Sequence, residues 1–174
     1  IASSLGSLVN PAGLATAAVG LLTAGFMQTV TIGKEFETGL AAVSAITGIT
    51  GPKLDDIGNR AQDLAAKFGG SASTQLTSFQ GVLSRFGADL AKYPKDLGAV
   101  SESINILAKA GGIDAATSMD TLTTAMLQFG VNTSNSSELA SESARFINVM
   151  AASARVGAAE IPQVGEAVKV AGVA

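Results

Sequence analysis

From Glu35 onward, apolar side chains return at a three-then-four spacing, the interval that lines one face of an α-helix. Leu54, Ile57, Ala61, Leu64 and Phe68 form one such face, and Leu76, Phe79, Leu83 and Phe86 form another. The spacing recurs in Leu97, Val100, Ile104 and Leu107, in Met119, Leu122, Met126 and Phe129, and in Ile161, Val164, Val168 and Ala171. No stretch alternates as a half-buried strand would. The pattern predicts an all-α fold: an array of roughly six to eight short amphipathic helices, preceded by one long, uncharged hydrophobic helix.

Punctuation agrees with the periodicity. Pro52, Pro94 and Pro162 stand where helices should begin, because proline at the first helical position gives up an N–H that has no partner there. Glycines follow the apolar stretches at Gly48, Gly69-Gly70, Gly87, Gly111-Gly112, Gly130 and Gly157, the positions expected of helix stops. Three ends read Phe-Gly, at Phe68, Phe86 and Phe129, which predicts a core anchor in the last turn before a left-handed cap. Asn132-Thr133-Ser134-Asn135 favours a turn or cap. It predicts a helix from about Ser136 to Ala154 with Leu139, Phe146, Ile147 and Met150 on the buried side.

Charge divides the chain into two parts. Residues 1–33 carry no ionisable side chain, and Lys34 is the first. Asn10-Pro11 reads as a cap followed by the first helical residue. The uncharged run from Leu14 to Ile32 approaches the roughly 20 residues that span a hydrocarbon core. Thr16, Thr23, Gln28, Thr29 and Thr31 dilute it, so it is a marginal spanning segment, and no basic residue precedes it as a secretory signal requires. Ala12, Thr16, Gly20 and Ala24 form a ridge of small residues that permits close helix approach. Leu14, Leu21, Leu22, Phe26 and Met27 would supply the apolar contacts. A membrane-entering or self-associating segment and a buried core helix both fit this pattern. We take 1–33 as a hydrophobic helical segment and 34–174 as a helical core domain. The first residue, Ile1, and the last, Ala174, read as cut ends of a longer chain.

Hydrophobic residues make up 47% of the chain and charged ones 14%, against about 25% charged in an average soluble domain. The exposed surface is therefore poor in charge, or another surface covers it. Eleven basic residues are scattered singly and the net charge is −3, which disfavours specific nucleic-acid binding. Neither Cys nor His occurs, which removes disulfides, thiolate nucleophiles, imidazole bases and nearly all transition-metal chemistry.

The remaining residues offer no catalytic constellation. Asp55-Asp56, and Glu138 with Glu142, read as solvated acids near helix starts. A serine nucleophile would need a buried lysine such as Lys109 as base, and Lys109 reads instead as a helix-terminal residue. Gly111-Gly112-Ile113-Asp114 lacks the lysine and hydroxyl of a phosphate loop, and reads as a helix stop followed by the Asp114 cap of the next helix. A sugar cleft would be rich in aromatics, and the chain has one Tyr and no Trp. We expect no enzymatic activity, no cofactor and no metal site.

The run Glu35-Phe36-Glu37-Thr38-Gly39-Leu40-Ala41-Ala42-Val43-Ser44-Ala45-Ile46-Thr47-Gly48 is followed by Leu54-Asp55-Asp56-Ile57 and by Ala61-Gln62-Asp63-Leu64-Ala65-Ala66-Lys67-Phe68-Gly69. In this order they resemble the conserved core of bacteriophage tail tape measure proteins. The likeness continues through Ile106 to Gly112, Leu122 to Gly130 and Val164 to Gly172, covering about residues 34–174. It departs from the family at Gln80 to Tyr93, where an alanine- and methionine-rich helix ending in Ala-Gly is usual.

The resemblance implies a structural protein whose length sets tail length, located in the lumen or tip of the virion tail. Its implied partners are the tail tube protein, tip or baseplate hub proteins, tail assembly chaperones and further copies of itself in threefold or sixfold order. It also implies ejection ahead of DNA, with contact to the host membrane and channel formation in the host envelope. The competing expectation is a pore-forming or membrane-permeabilising helical effector, whose inserting element would be residues 14–32.

Overall fold

The computed structural model describes residues 32–157 and 159–171, except for the side chain of Lys169. Among the described residues all regular structure is helical, with seven α-helices and one 3₁₀ turn. The uncharged segment 1–31, with its expected long hydrophobic helix, lies outside the described residues. The chain divides after Thr38. Residues 32–47 are helical and form α1. Its residues 32–38 belong to the first unit, where the Thr38 hydroxyl donates to the Lys34 carbonyl at 2.8 Å.

The second unit holds the rest of α1 and six further helices: α2 (Pro52–Phe68), α3 (Ala72–Phe86), α4 (Pro94–Gly111), α5 (Ala115–Gln128), α6 (Ser136–Gly157) and α7 (Ile161–Ala171). The 3₁₀ turn Ala88–Lys92 links α3 to α4. Pro52 and Pro94 open their helices, and Pro162 is the second residue of α7. Ser71 caps α3 by accepting from the Thr74 N–H at 3.1 Å, and Asp114 caps α5 by accepting from the Thr117 N–H at 2.9 Å. Asn135 does the same for α6 through the Glu138 N–H at 3.1 Å. The expected Asn132–Asn135 turn is present, with Asn132 Oδ1 accepting from the Ser134 N–H at 3.0 Å.

At the other end of α4, Gly112 takes the left-handed conformation (φ 62, ψ 27), and the Ile113 N–H returns to the Ala108 carbonyl at 3.0 Å. A β-carbon there would be strained, which is why glycine ends this helix.

α4 is the centre of the unit and packs against α2, α3, α5, α6 and α7. Its Leu97, Val100, Ile104 and Leu107 are buried, as the spacing predicts. Ile57, Leu76, Phe79, Leu83, Leu122, Met126, Leu139 and Met150, on the neighbouring helices, are buried as well, and each buried side chain of this size contributes about 1.5–3 kcal/mol. Two pairs of polar side chains join helices within this core. Gln75 of α3 and Asn105 of α4 exchange amide hydrogen bonds, the shorter 3.0 Å. Ser103 of α4 and Ser143 of α6 lie 3.1 Å apart, oxygen to oxygen. The hydroxyls of Ser101 and Ser118 are buried without a partner among the described residues.

Three expectations need correction. Phe68 is half-buried rather than a core anchor, with the ammonium groups of Lys67 and Lys109 at 5.4 and 5.8 Å from its ring. Phe129 is 60% exposed. In α2 and α3 the phenylalanine is the last helical residue and glycine is the cap, whereas α5 ends one residue earlier and Phe129 is itself the cap (φ −86, ψ 10). On α7, Ala171 is exposed and Ile161, Val164 and Val168 are half-buried; the buried position is Gly165.

Candidate functional site

The nine residues singled out as a membrane or self-association segment, Ala12, Leu14, Thr16, Gly20, Leu21, Leu22, Ala24, Phe26 and Met27, lie outside the described residues. Within the described residues no helix is long and apolar enough to cross a membrane. The other sequence candidates are dispersed. Asp55 and Asp56 are exposed at the start of α2. Glu138 stands in the first turn of α6, and Glu142 pairs with Arg145 at 2.6 Å. Lys109 ends α4 beside the Phe68 ring, and Asp114 caps α5. No group of three or more acidic residues that could hold a metal ion occurs among the described residues.

Surface clefts follow the helix junctions. One, of about 400 Å³, lies between the 3₁₀ turn and the loop that enters α6, lined by Asp89, Tyr93, Thr133, Ser134 and Ser136 among others. Its carboxylate is engaged by Lys92 at 2.7 Å, and Ser136 donates to Asp96 at 2.6 Å. A second, of about 260 Å³, runs between α2 and α4. It collects charge, with Arg60 beside Asp63 at 3.6 Å and Lys67 beside Glu102. A third, of about 530 Å³, sits where α4 ends and α7 begins, between Lys109, Arg155 and Glu160.

The titration shifts are those of local pairing. The hydrogen bond and charge of Asp89 raise Lys92, and those of Glu142 raise Arg145. The Thr117 hydroxyl and N–H hold Asp114 below the ordinary carboxylate value of 3.8. Each is a surface group stabilised in its charged form by a neighbour on the same element.

The α2–α4 groove is rich in ions, whereas no ionisable residue occurs between Asp120 and Glu138, or on α6 between Arg145 and Arg155. Those uncharged stretches carry the exposed Leu127, Phe129 and Val149. The apolar periodicity did not predict this surface. The signal that could have found it is the length of the uncharged run around Phe129.

Comparison with family models, with curated proteins and with solved structures finds no match to this chain.

Proposed function

We propose that this chain is a structural, non-enzymatic part of a bacteriophage tail tape measure protein, and that residues 34–174 form its helical core domain. The observation that carries the reading is the ordered resemblance of residues 34–174, supported by the agreement between its motif runs and the helix boundaries. The run to Phe68-Gly69 ends at the α2 cap, Ile106 to Gly112 ends at the α4 cap, and Leu122 to Gly130 ends one residue past the Phe129 cap of α5. A surface with few charges suits packing against further copies and a tube lumen, since little desolvation of ions is needed. The protein then sets tail length, fills the tube or tip, and leaves ahead of the DNA.

In this reading the uncharged segment 1–33 contacts the host membrane and contributes to a channel in the host envelope. The tube protein, hub proteins and assembly chaperones are its partners in the virion.

Cryo-electron microscopy of tails before and after DNA release tests the proposal. Density for this region inside the tube or tip before release, lost afterwards, is the expected result. A fixed external position in both states overturns it. Vesicle leakage caused by the chain and abolished by Leu21→Asp, without a place in the tail, would favour the permeabilising effector. Release of soluble muropeptides from peptidoglycan would overturn the non-enzymatic assignment.

A further inference from the structure

α3 and α5 meet where a side chain is missing. A β-carbon on Gly81 would lie 2.7 Å from the Met119 methyl and 2.8 Å from its sulfur, so the thioether fills the groove that Gly81 opens in α3. One turn further along both helices, Arg85 donates to the Thr123 hydroxyl at 3.3 Å and pairs with Asp120. Among the described residues the three methionines differ in access. Met126 and Met150 are buried in the core, whereas Met119 is half-buried at this joint. The chain has neither Cys nor Trp, so methionine sulfur is the side-chain group that a peroxide attacks first.

We propose that Met119 is a peroxide-sensitive modification site whose oxidation loosens α3 from α5. The sulfur lone pair attacks one peroxide oxygen and the O–O bond breaks. The released hydroxide takes the proton from the oxygen now on sulfur and leaves as water. Sulfur is oxidised to the sulfoxide and the peroxide is reduced. The new oxygen is a bulky acceptor in a groove fitted to a thioether. Gly81 lies inside α3, where backbone N–H groups already serve the helix, so the groove offers the oxygen no backbone donor. Overpacking against α3 and an acceptor without a partner both drive the oxidised side chain out to solvent. The two helices then keep the solvent-accessible Arg85 pair and lose the apolar contact beside it. Enzymatic reduction of the sulfoxide reverses the change. The inference stands on this joint and does not rest on the tail assignment.

Hydrogen peroxide treatment of the chain, followed by peptide mapping in a mass spectrometer and by thermal melting, tests the proposal. Met119 should oxidise at least about tenfold faster than Met126 or Met150, because reactivity follows exposure. The chain oxidised at Met119 should melt about 2–4 °C below the untreated one, and methionine sulfoxide reductase should restore the parental value. Met119→Leu, which conserves volume, should melt like the untreated parent and lose the response to peroxide. Gly81→Ala distinguishes the joint from oxidation of any accessible methionine. Its added methyl displaces Met119 in advance, so Met119 should oxidise faster than in the parent while the melting temperature moves less on oxidation. Equal oxidation rates for the three methionines would overturn the proposal. So would a peroxide-induced melting shift that survives Met119→Leu or is unchanged by Gly81→Ala.

Discussion

Gly165 sits where a β-carbon would lie 2.7 Å from Cγ2 of Thr121 and 3.5 Å from the Met150 methyl. Thr121 is buried and β-branched, so it has few rotamers into which to retreat. Gly81 presents an equally short distance, 2.7 Å, but to the terminal methyl of half-buried Met119, which can swing aside. The two glycines therefore separate packing from helix propensity. Gly165→Ala should cost about 1–3 kcal/mol through overpacking, while Gly81→Ala should be near neutral or gain up to about 1 kcal/mol of propensity. Urea denaturation of both variants checks this, and equal losses would mean that the α5–α7 approach is as forgiving as the Met119 contact. Nothing in the apolar spacing marks Gly165 as the buried position of α7. Periodicity counts large side chains, and here the close approach is made by the absence of one.

Helix ends follow from local chemistry, which is why they were the most legible part of the fold. Proline at the first turns of α2 and α4, the Asp114 cap and the Gly112 stop each satisfy or remove backbone groups within a few residues. The direction of a last side chain does not follow so directly. At α5 the Val131 N–H returns to the Met126 carbonyl at 3.0 Å and the Gly130 N–H to the Leu127 carbonyl at 3.1 Å, with Gly130 at φ 71. That six-residue closure uses Phe129 as the cap and turns its ring outward, although Phe86-Gly87 reads identically in sequence and buries its ring. The uncharged segment on which the sequence placed its candidate site lies outside the described residues. The Asp114 cap also sets a pH dependence. Its carboxyl is held below 3.8 by Thr117, so its stabilisation is present above the unfolded value and is lost as pH falls through the lowered folded value. Asp114→Asn keeps a capping oxygen without the charge. It should leave the neutral-pH melting temperature nearly unchanged and make the decline on acidification shallower. An acid melting profile identical to the parent would show that the cap charge contributes nothing.

At the scale of the molecule, α4 ties the second unit together, because five helices pack on it and its four apolar positions are buried. Ion pairs between helices, Lys67 with Glu102 and Arg85 with Asp120, are solvent-accessible and contribute about 0–1 kcal/mol each. Burial around α4 therefore dominates, and loss of that burial should be felt everywhere at once. Leu107→Ala should cost about 2–5 kcal/mol, a large part of the roughly 5–15 kcal/mol that holds a domain folded. Such concentration suits the proposed passage through a narrow tube, since disrupting one helix would release its neighbours together. Hydrogen exchange resolved by segment gives the check. In Leu107→Ala, the amides of α2 and α3 should exchange faster alongside those of α6, in a single cooperative step under mild urea. If α2 and α3 instead keep their protection while α6 and α7 lose theirs, the α2–α3 hairpin is an independent folding unit, and unfolding proceeds in sequence rather than from the centre outward.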